Sequence, residues 1–268
     1  DTCGGASSTV QLTGPGDRDI AGVTYHDLVL AASAESDTVF SQGALTAGNS
    51  LTLTTGTWNA GAFTHAMGGS WDSSSATSLL AEGTSTISFT STDPPIALEG
   101  NETFSDLTLA DGGAFTGALT VSGTSDLSGT VIGDGSAMDF GSVTLSGATT
   151  ITSNDGAVTL GTVDGGSSFN VDAGVSTITP GGAIGSGTPV GPVTLSGTGG
   201  GITLPAITLT AGSNLDVTAG GAVVATGAIA TNGGDVSTTG TTFTSNAGGS
   251  ISSGDGAVTL DHSGTVTI

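Results

Sequence analysis

The chain has 268 residues, of which 48 are glycine and only 4% are aromatic, and it carries 23 acidic residues against one basic residue, Arg18. Binding to nucleic acid or to an anionic membrane surface requires several lysines or arginines, so the composition excludes both functions. The longest weakly polar run, residues 219–230, is too short and too rich in Gly and Thr to cross a bilayer, which excludes membrane insertion. With so few bulky side chains, the protein can fill only a thin core.

Residues 1–23 form the first predicted segment, an irregular N-terminal cap or junction. They contain Gly14-Pro15-Gly16 and the charged cluster Asp17-Arg18-Asp19, and the first turn of a stacked fold needs a segment that shields its open edge. Cys3 is the only cysteine, so no intramolecular disulfide is possible, and it could reinforce an assembly only if a partner chain supplied a second thiol. Asp1 in place of an initiator methionine fits either removal of a secretion signal or a trimmed chain.

Residues 24–140 are predicted to form a β-solenoid of a first repeat type. The run Thr24–Leu30 is echoed by Thr103–Leu109, each with an aromatic residue, an aspartate and a Leu-x-Leu pair. Between them, short runs rich in Thr, Val, Ile and Leu end within a few residues in Gly, Asn or Asp, and no window has a helical period. This pattern is typical of an all-β fold with many short strands.

Residues 141–268 are predicted to continue the solenoid with a second repeat type. The stretch Ile151–Leu160 returns as Ile251–Leu260, which is 251 − 151 = 100 residues later, and Gly141–Gly147 returns as Gly191–Gly197. Each copy places Val-Thr-Leu after a glycine turn. A repeat that cannot bury its apolar face alone implies stacked turns. At roughly 20 residues per turn, the chain would make about 13 turns.

The alternation of apolar and polar residues also predicts which side chains point inward. A one-residue slip would exchange the two faces of every strand, so the prediction is specific. The inward columns are expected to contain Leu28, Leu30, Phe104, Leu107, Leu109, Val143, Leu145, Val158, Leu160, Val193, Leu195, Val258 and Leu260.

Several phrases of the sequence resemble the repeats of large bacterial secreted and cell-surface β-helix proteins. They include Gly56–Ala60, Gly69–Trp71 and Ser85–Phe89, and, after residue 140, the phrase Leu215–Gly220, which is similar to repeats of the filamentous-haemagglutinin and adhesin type. The resemblance implies a right-handed parallel β-helix outside the cell or on its surface, often as one segment of a longer chain. The expected partners are further copies or a continuation of the same chain, together with surface glycans.

The acidic turns and the two tryptophans are the candidate binding sites. Asp17, Asp19, Asp155 and Asp255 could supply carboxylate oxygens to Ca²⁺, which prefers oxygen ligands, or could serve as ordinary corner residues. Trp58 and Trp71, separated by 13 residues (71 − 58), could form a platform that stacks on sugars, or could pack in the core. No other cofactor and no catalytic residue is predicted.

The leading functional prediction is a structural module, which forms a rigid rod, a fibre or an adhesin stalk. The alternative is a β-helix that binds or cleaves carbohydrate, although one arginine and no lysine leave a lyase without its usual base. A threonine array that binds ice is not expected, because threonines do not recur at one constant turn length. The C-terminal strand with Val266 and Ile268 would expose apolar side chains, so we expect it to be covered by further chain or by another copy stacked head to tail.

Overall fold

The computed structural model of the protein describes residues 2–3, 8–75, 77–91 and 97–268, with side chains from residue 8 onwards. The described residues form strands and turns only, and they contain no helix that is long and apolar enough to cross a membrane. The strands stack in parallel into a β-solenoid of about 13 turns, so the predicted all-β solenoid fold is confirmed.

The chain divides into two compact units, residues 1–125 and 126–268. The strands of the first unit, in chain order, are β1 (Thr2–Cys3), β2 (Thr9–Gly14), β3 (Arg18–Ile20), β4 (Thr24–Ala32), β5 (Thr38–Ser41), β6 (Thr46–Asn59), β7 (Thr64–Met67), β8 (Ser70–Asp72), β9 (Ser78–Ala81), β10 (Thr86–Phe89), β11 (Ala97–Glu99), β12 (Glu102–Phe104), β13 (Asp106–Leu109), β14 (Gly112–Thr116) and β15 (Leu119–Val121).

Strand β16 (Thr124–Ile132) includes the division between the units. The strands that follow are β17 (Met138–Asp139), β18 (Ser142–Thr152), β19 (Val158–Leu160), β20 (Val163–Asp164), β21 (Phe169–Asp172), β22 (Ile178–Pro180), β23 (Val193–Gly197), β24 (Ile202–Leu204), β25 (Ile207–Thr208), β26 (Leu215–Ala219), β27 (Val223–Ala225), β28 (Ala228–Ala230), β29 (Val236–Gly240), β30 (Phe243–Ser245), β31 (Ser250–Ser252), β32 (Val258–His262) and β33 (Val266–Thr267).

In the first unit, apolar side chains from successive turns lie directly over one another. One column runs through β2, β4, β6, β8, β11 and β14, where each residue is the register partner of the next. Its members are Val10, Leu28, Leu51, Trp71, Leu98 and Phe115. The parallel ladder already includes β2 and β3, which belong to the segment 1–23 and pair with β4 and β5.

In the second unit, most turns contribute three short strands, one to each face of the solenoid. The turn that begins with β26 continues through β27 and β28, and the next turn stacks β29, β30 and β31 on them. Because the strands inside this stack pair in parallel with the turns before and after them, their backbone hydrogen-bonding groups are satisfied by near neighbours along the solenoid.

Eleven of the thirteen predicted inward side chains are buried, each with 4% exposure or less. The other two, Val258 and Leu260, lie in register over the buried Val236 and Thr238, but Val258 is 46% exposed and Leu260 is partly exposed. Both lie on β32, which pairs with β29 on one side only. Their equivalents Val158 and Leu160 lie on β19, between β17 and β22, where a turn on each side covers the side chains.

The repeated ten-residue stretch forms the same corner twice. In the first copy, the Ser153 hydroxyl donates to the carbonyl of Gly156, and in the second copy Ser253 donates to Gly256. Thr231 makes the equivalent bond to the carbonyl of Gly234, so the corner occurs a third time. The corner requires left-handed backbone, with φ of 52° at Asn154 and 74° at Asp155, conformations that asparagine and aspartate tolerate better than most residues.

Candidate functional site

The two tryptophans lie inside the first unit, in a cluster of rings. Trp58 is 1% exposed and Trp71 is fully buried, with 5.8 Å between their ring centroids. Phe104 meets Trp71 edge to face at 5.5 Å, and Phe89 does so at 6.2 Å. Such edge-to-face pairs add to the stability that comes from burial alone. Both tryptophans therefore pack in the core, which is one of the two roles that the sequence left open.

Each indole N–H of this cluster has a hydrogen-bond partner. Trp58 Nε1 donates to the Ser41 hydroxyl at 2.9 Å, while Trp71 Nε1 lies 3.1 Å from both Ser73 Oγ and Glu102 Oε1. Glu102 is only 8% exposed, and burial raises the pKa of its carboxyl group. The hydrogen bonds from Ser73 and Trp71 favour the charged carboxylate, but they offset only part of the effect of burial.

His65 is the second buried titratable group of this unit. Its Nδ1 accepts the backbone N–H of Leu45 at 3.1 Å, and its Nε2 lies 2.9 Å from the carbonyl oxygen of Ala60, to which it donates. This pairing fixes the neutral tautomer with the proton on Nε2. Burial lowers the pKa of His65, so the ring stays neutral at physiological pH. His65 also meets Trp58 edge to face at 4.9 Å, so it is a structural member of the core.

Three of the four aspartates proposed as metal ligands bind the next turn of the solenoid. Asp17 Oδ1 accepts the backbone N–H of Thr38 at 2.9 Å, and Asp19 Oδ1 accepts Gln42 Nε2 at 2.6 Å. Asp155 Oδ1 accepts the N–H of Val175 at 2.9 Å. Asp255 lies exposed in the turn before β32. Within the described ranges, no three His, Cys, Asp or Glu side chains come together.

One small polar cavity brings a predicted aspartate near an unpredicted one. It measures about 160 Å³ and is lined by Thr152, Asn154, Asp155, Asp172 and Gly174. Asp172 Oδ1 accepts the N–H of Gly174 at 2.9 Å, so each carboxylate already has a backbone donor. If Ca²⁺ binds near the predicted Asp155, these oxygen-bearing side chains would hold it. Calcium binding stays a prediction.

Asp27 lies within β4, at a shift in its register with β6, and it is not among the site residues predicted from the sequence. Its Oδ1 accepts hydrogen bonds of 2.6 Å from Ser50 Oγ and from Asn49 Nδ2, and Oδ2 lies 2.9 Å from His26 Nδ1. Hydrogen bonds from Ser50 and Asn49 lower the pKa of Asp27 to about 2. The only sequence signal for Asp27 was the Asp-Leu-x-Leu phrase. The partners of Asp27, Ser50 and Asn49, lie one turn later and become apparent only from the register between the turns.

The residues proposed for assembly lie near the two ends of the described chain. The backbone of Cys3 pairs with Tyr25 through β1 and β4, while its side chain lies outside the described residues. Val266 is 41% exposed and Ile268 is 90% exposed. Ile268 also lines an open cleft of about 640 Å³, whose other apolar walls include Phe243, Ile251, Val258 and Leu260.

These features define the class of protein as a parallel β-solenoid repeat protein with a packed interior and polar corners. Comparison of the chain with protein-family models, curated proteins and solved structures found no match. The parallel pairing of strands in successive turns therefore defines the fold.

Proposed function

We propose that the chain is a structural β-solenoid module of an extracellular or cell-surface protein, a stiff segment of the filamentous-haemagglutinin and adhesin type. The observation that carries the proposal is the linkage of successive turns at their corners by side chains, in addition to the backbone ladders. The proposed mechanism is mechanical, because load along the solenoid axis would be shared by many short hydrogen bonds.

The corner that contains Asp235 illustrates this linkage over three successive turns. Asn214 Oδ1 accepts the backbone N–H of Asp235 at 2.9 Å, and Asp235 Oδ1 accepts the N–H of Ala257 at 2.7 Å. Each side chain therefore bonds to the backbone of the following turn. A carboxylate that accepts a backbone N–H forms a charge-assisted bond, which is stronger than a neutral one.

The same arrangement recurs at other corners of both units. In the first unit, Asp106 Oδ1 accepts both the N–H and the hydroxyl of Thr124 at 2.7 Å. In the second unit, Asp164 Oδ1 accepts the N–H groups of Gly187 at 2.7 Å and Thr188 at 3.1 Å. The acidic residues thus act locally as links between turns, which supports a scaffold function more directly than a catalytic one.

The proposal predicts high mechanical and proteolytic resistance that depends on the corners. Unfolding force should be measured on tandem copies of the chain by single-molecule pulling. A variant with Asp106→Ala and Asp164→Ala should unfold at lower force. Asp106→Asn with Asp164→Asn keeps neutral acceptor oxygens and should unfold at an intermediate force. A low unfolding force for the native chain, or equal unfolding forces for all three proteins, would contradict a load-bearing function.

We also propose that the chain self-associates head to tail through its last turn. The exposed apolar side chains of Val258, Val266 and Ile268 support this, since burial of apolar surface is the main driving force of association. Sedimentation velocity over a range of concentrations should show growing species, and Ile268→Asp should reduce them. A contact between unlike ends does not close on itself, so the expected product is a filament. Concentration-independent monomers would refute this association.

The alternative function in carbohydrate binding or cleavage has less support from the site. A sugar platform needs aromatic faces that are open to solvent, and both tryptophans are in the core.

A further inference from the structure

One outer face of the second unit carries two straight columns of short polar side chains. The face is formed by β18, β21, β23, β26, β29 and β32, which pair one to one without a register shift. The first column contains Thr150, Asn170, Thr194, Asp216, Ser237 and Thr259. The second column contains Thr152, Asp172, Ser196, Thr218, Thr239 and Asp261. We call these twelve positions the hydroxyl face.

The columns stay in register although the turns differ in length. From Thr152 to its partner Asp172 the chain advances 172 − 152 = 20 residues, and from Asp172 to Ser196 it advances 196 − 172 = 24 residues. The corners accommodate the difference. A constant turn length is therefore not required for polar columns to stay in register. The columns contain mixed short polar residues, so they differ from the array of threonines that the sequence was not expected to form.

The hydroxyl face is a two-dimensional lattice of hydrogen-bonding groups. Neighbouring strands are about 4.8 Å apart, and alternate residues on one strand are about 6.6 Å apart. Oxygen atoms on the prism planes of hexagonal ice also repeat at two unequal distances, of which the shorter is close to the strand spacing and the longer is somewhat greater than the spacing of alternate residues. Regular side chains at such spacings can hold a layer of water in an ice-like arrangement.

The side chains of the face are suited to that task. Eight of the twelve are threonine or serine, the others are one asparagine and three aspartates, and every position is exposed or partly exposed. Threonine is β-branched and therefore stiff at χ1, so it loses little freedom when it orders water. In the part of the chain that the structure describes, the eight hydroxyls of the face have no protein hydrogen-bond partner, which leaves them to bind water.

From this lattice we infer that the hydroxyl face binds ice. The three aspartates lie on alternate strands, one each on β21, β26 and β32. A carboxylate holds its hydration water tightly, so these charges oppose an ice-like layer and moderate the affinity. An extended polysaccharide is the competing ligand, but the twelve positions contain no aromatic side chain on which a sugar ring could stack.

The test is to measure thermal hysteresis and inhibition of ice recrystallisation with the whole chain. Thr218→Tyr places a bulky ring in the middle of the face and should abolish most of the activity. Thr203→Tyr is the matched control, because Thr203 is an exposed mid-strand threonine on β24, whose register partner Val224 breaks the polar column. Melting temperatures of both variants by circular dichroism confirm that they fold.

The outcomes are distinct. Native activity that is lost in Thr218→Tyr and kept in Thr203→Tyr supports ice binding, as does stronger activity in Asp216→Asn. A native chain that shapes no ice crystals, or equal loss of activity in both tyrosine variants, overturns the inference. Weaker activity in Asp216→Asn, or binding to insoluble polysaccharide without any effect on ice, would also overturn it, because the carboxylate or the sugar would then be part of the recognition.

Discussion

Replacing Leu160 by aspartate tests the packing of the second unit. Leu160 is 1% exposed, and β19 has a paired strand on each side. Removing a buried leucine side chain of this kind costs about 2–5 kcal/mol. Burying a carboxyl group without a partner adds about 1–3 kcal/mol. The expected loss in the free energy of unfolding is therefore about 3–8 kcal/mol, comparable with the whole net stability of a typical domain.

The matched control is Thr179→Asp, which adds the same charge on the neighbouring strand but at an outward, exposed position. Surface substitutions of this kind usually change stability by about 0.5 kcal/mol or less. Urea unfolding should be followed by far-ultraviolet circular dichroism, and amide hydrogen exchange should locate the loss to turns next to β19. A similar free energy of unfolding for both variants, or exchange that is unchanged around β19, would refute the inward phase of this strand.

Three further predictions concern titratable side chains. Glu102→Gln keeps an acceptor for Trp71 Nε1 and removes a buried charge. Because the pKa of Glu102 is raised in the folded state, the native chain loses stability as the pH rises. The variant should therefore be more stable than the native chain near pH 8 and should show a flatter pH dependence in thermal melts. Asp27 has its pKa lowered to about 2, so its contribution is complete above about pH 4 and decreases as the pH falls through 2. After allowance for solvent screening, Asp27→Ala should cost about 1 kcal/mol at pH 7 and clearly less at pH 2, and an equal cost at both values would exclude this linkage. Asp235→Ala removes the acceptor for the Ala257 N–H and should lower the free energy of unfolding by about 1–2 kcal/mol. In chemical unfolding, Asp235→Asn should recover about half of this loss. Equal losses for the two variants would show that the carbonyl oxygen alone does not maintain the link.

Local alternation was sufficient to predict the phase of the central strands. In β23, Val193 and Leu195 point inward and Thr194 points outward, as a period of two requires. The glycine turns before such runs also made the all-β class predictable. Both signals are properties of a few consecutive residues, and they do not depend on which strands become neighbours.

Burial near the end of the chain could not be predicted from the same signals. Val158-Thr159-Leu160 and Val258-Thr259-Leu260 are identical in sequence, but only the first copy is buried on both sides. The apolar face of a solenoid strand is covered by adjacent turns, so burial depends on stacking rather than on the local pattern.

The roles of individual polar residues required the register between turns. Asp27 meets Asn49 and Ser50, which lie 22 and 23 residues later, and no spacing rule in the sequence identifies them. The same holds for the hydroxyl face, since corners of different length bring Asp172 and Ser196 side by side. The Ser-x-x-Gly corner was visible as part of the repeated stretch, but its hydroxyl-to-carbonyl bond was not.

The position of the ring cluster has a consequence for spectroscopy. Both tryptophans and the only tyrosine, Tyr25, belong to residues 1–125, so residues 126–268 contribute no intrinsic fluorescence above that of phenylalanine. The shift of tryptophan emission to longer wavelength on exposure of the indoles would thus report the first unit alone, while far-ultraviolet ellipticity reports both. Without any label, a comparison of the two signals in one denaturant titration distinguishes concerted from sequential unfolding of the units.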